Sequence, residues 1–269
     1  MVCVHGNPTW SWYYRRLVRA LTPAHRVIVP DHLGMGRSDV PSPGQYAYDL
    51  EARVADVAAL MDHLGVGVDR PATLVVHDWG GAIALAWATR HPERVGRLVI
   101  CNTAAFPMLD GQALPWLLRP VRVPVLGEAL VCGANMFVRG ALRAGVRRRR
   151  LTPADRRAYR VPYTSWRRRI GVLRFIRDIP VRPGSRTYDI LRQTGADLHR
   201  LADRPALVLW GMRDPVLTPA YLEEWRRRLP HAETHAIPDA GHLVLEDADE
   251  TIPLIAAFLS RTRVVADAR

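Results

Sequence analysis

Val75-Val76-His77-Asp78-Trp79-Gly80-Gly81 decides the reading of this chain. A β-branched run meets two glycines and then the alanine-rich stretch Ala82–Ala88, so the segment reads as a strand ending in a sharp turn into a helix. That is the layout of a nucleophile elbow, with Asp78 where the serine of Gly-x-Ser-x-Gly would stand. The turn admits only small residues around the nucleophile, which Gly80 and Gly81 supply. The helix N-terminus favours negative charge, and a carboxylate held there can attack carbon to give an ester intermediate. Taken alone, Asp78 reads equally well as the N-cap of the helix that follows.

Outward from this elbow, short β-branched runs alternate with helical patterns. Strands are expected at Val2–His5, Arg26–Pro30, Ala72–His77, Arg97–Cys101, Ala206–Trp210 and Glu233–Ile237. Helices are expected at Trp10–Leu21, Leu50–Leu64, Gly81–Arg90, Pro219–Leu229 and Glu250–Leu259. This alternation predicts an α/β fold with a mainly parallel sheet flanked by helices. It stops between about Phe106 and Arg204, a proline-bearing stretch without strand patterns. The expected organisation is therefore a core of residues 1–105 and 205–269, with an inserted helical cap at 106–204.

Three further pieces sit after predicted strands. His5-Gly6-Asn7-Pro8-Thr9-Trp10-Ser11 follows the first, where a loop can offer a backbone donor facing the nucleophile; the Asn7 amide can add a side-chain donor. By itself it is also an ordinary Asn-Pro turn. Trp210-Gly211-Met212-Arg213-Asp214-Pro215-Val216 ends another strand, and Asp214 can orient a histidine. Asp239-Ala240-Gly241-His242 follows the last strand, with His242 as a base. A single Asp-Pro is ordinarily a turn, and one histidine among ten is ordinarily a surface or core residue. Their order changes that reading. Nucleophile, acid and histidine follow one another, each at the C-terminal end of a strand, where α/β sheets bind ligands.

Residues Val2–Thr103 and Pro205–Leu259 resemble the α/β-hydrolase fold, specifically its aspartate-nucleophile branch of haloalkane dehalogenases and epoxide hydrolases. His77-Asp78-Trp79-Gly80-Gly81 is shared by both. Gly6-Asn7-Pro8-Thr9 resembles the dehalogenases, in which this Asn and the Trp after the nucleophile cradle the leaving halide. Val76 points the same way, because epoxide hydrolases commonly carry glycine there. The strand before the cap ends in Asn102 rather than in an acid, which leaves Asp214 as the acid. That combination is similar to the third dehalogenase subfamily, which includes the β-lactone decarboxylases of bacterial long-chain olefin biosynthesis. Gly6–Arg16 and Asp31-His32-Leu33-Gly34-Met35-Gly36-Arg37-Ser38-Asp39 closely resemble those decarboxylases. The resemblance implies Asp78 as nucleophile, His242 as base, Asp214 as orienting acid, and Asn7 and Trp79 as the leaving-group and oxyanion site.

The activity it implies is the opening and decarboxylation of a long-chain β-lactone to a cis-olefin. The alternatives are a haloalkane dehalogenase and an epoxide hydrolase, the latter needing tyrosines such as Tyr159, Tyr163 or Tyr188 to protonate the epoxide oxygen. A catalytically dead binding module would have lost a triad position, and none is lost. The apolar residues Met108, Leu109, Leu114, Trp116, Leu117, Leu118, Leu126, Leu130, Met136 and Phe137 are expected to line a substrate channel or to pack the cap onto the core. Family members place two strands, roughly 30 residues, ahead of the one ending at His5. The first two strands are therefore expected to be missing, through a start codon set too far downstream, and Arg26–Pro30 to be an exposed edge.

The 269 residues, 48% hydrophobic, suit one large domain or a core with an insertion. No apolar run approaches the ~18 residues of a membrane span, and no signal segment opens the chain. A cytoplasmic location is expected. Three cysteines, Cys3, Cys101 and Cys132, do not make a disulfide scaffold and read as buried thiols. All 38 basic residues are arginine, and the net charge of +12 is concentrated in one segment. Residues 139–182 carry fifteen arginines against Asp155 and Asp178, whereas the other 23 arginines face 24 acids. That segment reads as a solvated helical face, or as a docking surface for an acidic partner or a membrane; a complex with other olefin-pathway enzymes is the partner it suggests. Nucleic acid is not expected, since no recognition motif accompanies the charge. No histidine or cysteine cluster has metal-ligand spacing, so no metal or organic cofactor is expected.

Overall fold

The computed structural model describes residues 1–262. Its centre is β2 (Ala72–His77) beside β3 (Val95–Cys101), strands in which every residue is buried. Such continuously apolar strands suit a parallel sheet covered on both faces. With β1 (Val2–Val4), β4 (Ala206–Gly211) and β5 (Glu233–Ile237) they form a parallel sheet in the order β1-β2-β3-β4-β5. The register aligns Val4 with Val76, His77 with Cys101, Cys101 with Leu209 and Gly211 with Ile237. The C-terminal strand ends thus form one edge, and the loops carrying Asn7, Asp78, Asn102, Asp214 and His242 all leave from it.

The helices are α1 (Arg15–Leu21), α2 (Leu50–His63), α3 (Trp79–Ala88), α4 (Leu126–Glu128), α5 (Met136–Ala144), α6 (Pro153–Arg160), α7 (Ile170–Arg177), α8 (Arg186–Asp197), α9 (Pro219–Arg228), α10 (Val244–Asp247) and α11 (Thr251–Arg261). Between β3 and β4 the chain is helices and turns without a strand. Helix α2 begins where the Asp49 carboxylate accepts the Ala52 N–H at 2.9 Å, an N-cap that its sequence supplies directly.

Two expected elements differ. Arg26–Pro30 is not a strand: Ile28 makes one parallel bridge to Val2, through Cys3 N–H to Ile28 O and Ile28 N–H to Met1 O, both 2.9 Å. It lies outside β1, at the edge as expected. Among the described residues it has a neighbour on one side only, and Pro30 has no N–H to continue the ladder. Trp10–Leu21 is not one helix but a 3₁₀ turn, Ser11–Tyr14, followed by α1.

Part of the arginine-rich segment is paired with acids from elsewhere in the chain, while most of its arginines are exposed. Arg148 pairs with Asp239 at 2.8 Å and Glu250 at 2.7 Å, and Arg149 with Asp249 at 3.1 Å. The backbone N–H groups of Arg147, Arg148 and Arg149 converge on the buried Asp247 carboxylate at 2.7–3.0 Å. Arg15 closes a second clamp, binding Glu246 and, at 2.8 Å, Asp155, while the Tyr159 hydroxyl donates to Glu246 at 2.5 Å. The three cysteines are free and buried, and burial pushes each thiol up, Cys3 to about 12.

Candidate active site

Asp78 occupies the turn between β2 and α3 with φ 50° and ψ −129°, a conformation that costs a non-glycine residue of order 1–3 kcal/mol. Close packing holds it there. A Cβ on Gly80 would lie 1.9 Å from Val4 O, and one on Gly6 would lie 2.1 Å from Asp78 Oδ1. Asp78 N–H donates to Asn102 O at 3.0 Å, and the Thr103 hydroxyl donates to Asp78 O. The residue stands at the N-cap position, yet its side chain makes no capping bond. The carboxylate turns instead to the loop after β1, where Oδ1 accepts the Asn7 N–H at 2.6 Å. The Trp79 N–H supports the same carboxylate. Burial raises the Asp78 pKa, and the His242 charge and these two N–H groups oppose the rise.

His242 lies on the other side. Its Nε2 is 3.6 Å from Asp78 Oδ2, and its Nδ1 is 2.7 Å from Asp214 Oδ2. Burial alone would lower the imidazole pKa, but the Asp214 and Asp78 carboxylates outweigh it and hold His242 at about 9. The resting site therefore holds an imidazolium between two carboxylates. His77 fixes the loop from behind: its Nε2 lies 2.9 Å from His242 O, which makes that nitrogen the protonated one. Asp214 is fixed as well, since its Oδ1 accepts the N–H groups of Val216 at 2.8 Å and Leu217 at 3.0 Å.

The five residues singled out from sequence are thus together at one sheet edge, with one difference in detail. The Asn7 side-chain amide, expected to be free for a leaving group, spends one N–H on Val172 O at 3.2 Å, while its Oδ1 is buried without a partner. Sequence reading missed Asn102. Its Nδ2 donates to Asp214 Oδ2 at 2.9 Å and to Gly211 O at 3.1 Å, and its Oδ1 accepts the Gly211 N–H at 2.8 Å. The signal was an asparagine at the end of a buried strand facing the acid's strand.

Asp78 and Trp79 line a mainly apolar cavity of about 210 Å³. Its walls include Phe106, Met108, Leu114, Leu118, Ile179 and Leu217. Of the ten apolar residues expected along a channel, only Met108, Leu114 and Leu118 line it, while Trp116, Leu117, Leu126 and Met136 face solvent. Composition gives apolarity, not direction. None of Tyr159, Tyr163 and Tyr188 lines the cavity; the tyrosine that does is Tyr221, on α9. Tyr159 is bound to Glu246, and the Tyr163 hydroxyl donates to Thr9 O at 3.3 Å. A carboxylate that lines an apolar cavity, held by a pair of N–H donors and set beside an imidazole with its own acid, can form and cleave an ester on an apolar substrate. Among the described residues no cluster of His, Cys, Asp or Glu could hold a metal ion, and no helix is long and apolar enough to cross a membrane.

Comparison with known proteins places the fold. The profile of the α/β hydrolase fold family matches residues 1–124 and 142–249. The chain is 46% identical over 267 residues to a cis-3-alkyl-4-alkyloxetan-2-one decarboxylase of Shewanella oneidensis, covering 99% of this chain and 83% of that protein. A protein of the same name from Xanthomonas campestris pv. campestris is 45% identical, with 97% of this chain and 88% of that one covered. Among solved structures, the haloalkane dehalogenase DatA of Agrobacterium tumefaciens superimposes with a TM-score of 0.85 at 30% identity, over 97% of this chain and 88% of that one.

Proposed function

This chain belongs to the α/β hydrolase fold family, and from that premise we propose that it opens and decarboxylates a long-chain cis-β-lactone to a cis-olefin. The observation that carries this reading is the Asp78 carboxylate. One oxygen is held by the Asn7 N–H at 2.6 Å, and the other is left towards His242 and the apolar cavity. The two decarboxylase relatives supply the substrate class, a ring bearing two alkyl arms.

In this reading Asp78 is the nucleophile, Asp214 orients His242, and Asn7 and Trp79 bind the leaving group and the oxyanion. Asp78 Oδ2 attacks the ring carbon that bears the lactone oxygen. The C–O bond forms as the ring C–O bond breaks, and the released carboxylate meets the Asn7 side-chain amide and the Trp79 indole N–H. Attack with inversion sets the new ester oxygen anti to the adjacent carboxylate. The C–CO2 bond then breaks, its electron pair forms the C=C bond, and the ester C–O pair returns to Asp78. Inversion followed by anti elimination keeps both alkyl arms on one side, which gives a cis-olefin. No water enters, and the His242 imidazolium beside Asp78 Oδ2 stabilises the departing carboxylate.

A hydrolytic reading, halide release followed by ester hydrolysis, uses the same residues and is favoured by the His242–Asp214 pair. Esterifying Asp78 removes one of the two charges that raise the His242 pKa, so the imidazole loses its proton more readily and can activate water. The epoxide hydrolase reading lacks its paired tyrosines at the cavity.

We place this activity in the cytoplasm, on a small apolar substrate and without a cofactor, and treat 106–204 as the cap over the core of 1–105 and 205–269. A complex with the enzymes that supply the lactone would use arginines of 139–182 that have no carboxylate partner among the described residues, such as Arg139 and Arg143 on α5. The test is direct. Olefin from a cis-disubstituted long-chain β-lactone is measured by gas chromatography beside halide release from 1-iodobutane and diol from a styrene-type epoxide. The lactone should win in kcat/KM by at least ~10²-fold, about 2.7 kcal/mol of transition-state discrimination. Faster halide release would return the protein to the dehalogenases proper.

A further inference from the structure

Trp116 and Leu117 are 72% and 58% exposed, although their chain neighbours Pro115 and Leu118 line the Asp78 cavity. Just beyond, Val123, Pro124, Val125 and Leu126 are all exposed, Val125 to 81%. Val125 has φ 65°, a region that β-branched residues rarely enter, and Leu126 N–H donates to Pro124 O at 2.8 Å across it. Val125 thus stands at the apex of a γ-turn of the strained kind.

The base of this loop is firmly held. Arg122 Nη1 donates to Ile176 O and Ile179 O, both at 2.8 Å, and Arg177 grips Glu128 at 2.5 and 2.7 Å. A Cβ on Gly127 would lie 1.9 Å from Val121 O, so the chain also folds back tightly on itself. A fixed support therefore presents an apolar tip to solvent. Beside it, the exposed Arg119 and Arg182 make no side-chain hydrogen bond or ion pair among the described residues. They line a second recess that shares Met108, Gln112, Ala113 and Leu114 with the wall of the Asp78 cavity.

We propose that this rim, Trp116, Leu117, Val125 and Leu126 with Arg119 and Arg182, docks the protein on the surface of an anionic phospholipid bilayer. The apolar tip enters the acyl boundary, the guanidiniums meet lipid phosphates, and the cavity mouth opens where an apolar substrate dissolves. Charge complementarity selects this occupant over a second copy of the chain. A symmetric pairing of the rim would bring Arg119 and Arg182 against their own copies, whereas anionic headgroups neutralise them. The docking itself stands independently of the lactone reading; only the route of the substrate rests on it.

The test is flotation of the full chain with vesicles of phosphatidylcholine alone or with about 30% phosphatidylglycerol, at low salt and at about 0.5 M salt. The protein should float with the anionic vesicles and at least ~10-fold less with neutral ones or at high salt. The doubly substituted Val125→Asp, Leu126→Asp protein and the Arg119→Glu, Arg182→Glu protein should each lose that binding at least ~10-fold. Both should turn over a short, water-soluble haloalkane or lactone probe within about two-fold of the parent and keep its mass by light scattering. Failure of the parent to float, or variants that float as the parent does, overturns the proposal. A parent dimer that Val125→Asp dissolves overturns it in favour of an interface between copies. Because flotation uses no substrate, these outcomes are distinguishable from failure of the lactone assay.

Discussion

Asn102 donates its side-chain amide to Asp214 Oδ2 at 2.9 Å, the oxygen that also receives His242 Nδ1. The same amide closes two bonds with the Gly211 backbone, so one side chain ties β3 to β4 and holds Asp214, the proposed acid. Asn102→Ala leaves the buried Gly211 N–H without a partner. It should cost about 2 kcal/mol of stability, seen as a lowered urea midpoint, and should depress turnover of every substrate. Wild-type turnover in a destabilised Asn102→Ala would show that Asp214 needs no such guide.

Asp78→Asn should abolish turnover while the circular dichroism spectrum stays that of the parent, since the amide is isosteric and a poor nucleophile. More than a few per cent residual activity, with mass spectrometry excluding deamidation, would remove Asp78 from its role.

His242→Ala, given a haloalkane probe, should form the alkyl ester and stall there, a loss of about 10²–10⁴-fold in hydrolysis. Intact mass should rise by one alkyl group, and the adduct should map to the peptide containing Asp78. The lactone reaction needs no activated water and should suffer less. An adduct on another peptide would move the nucleophile elsewhere.

The pH dependence has a defined sign. His242 is held above its ordinary 6.5 at about 9, so its ion pairs stabilise the fold fully below pH ~6.5, and that contribution is lost as pH rises through about 9. The Tm gap between the parent and His242→Ala should therefore shrink between pH 6.5 and 9.5. Once Asp78 is esterified, one supporting charge is gone. Single-turnover hydrolysis of the ester should rise with pH through a pKa well below 9. A gap that widens with pH, or a hydrolytic pKa near 9, would contradict the electrostatics.

Arg15→Ala strips the buried Glu246 of its guanidinium and should destabilise the fold by about 3 kcal/mol. Glu246→Gln combined with Arg15→Ala should recover part of that loss. Equal destabilisation in the single and double variants, read by chemical denaturation, would mean the pair does not clamp 155–159 to the C-terminal helices.

The strands and the elbow were legible because they rest on local pattern. Ala72–His77 and Glu233–Ile237 have the limits that their β-branched runs suggest, and Gly80 marks the turn that its missing Cβ permits. Arg26–Pro30 carries an equally good strand pattern, yet a strand needs partners, and partners are not a local property. The direction of Trp116, Leu117 and Leu126 was illegible for a related reason. A 3₁₀ turn and a γ-turn send neighbouring apolar residues opposite ways, and no period records it. The bond from Asn102 to Asp214 spans 112 residues, and the pairing of Arg148 with Asp239 and Glu250 spans about a hundred. Charge counting along the chain saw an unbalanced segment where the fold supplies part of the balance, through Arg148, Arg149 and Arg177.

The Asp78 Oδ1 contact with the Asn7 N–H also bears on selectivity. In a serine-centred site those donors stand open to the carbonyl oxygen of an incoming acyl ester. Here Asp78, in its proposed role of nucleophile, brings its own oxygen and occupies them before any substrate arrives. The abundant esters and thioesters of a cell therefore find no donor for a tetrahedral adduct, however well their chains fit the apolar cavity. Chemistry is steered to saturated carbon, and an enzyme meant for a scarce lipid-like substrate can work among common acyl chains without degrading them.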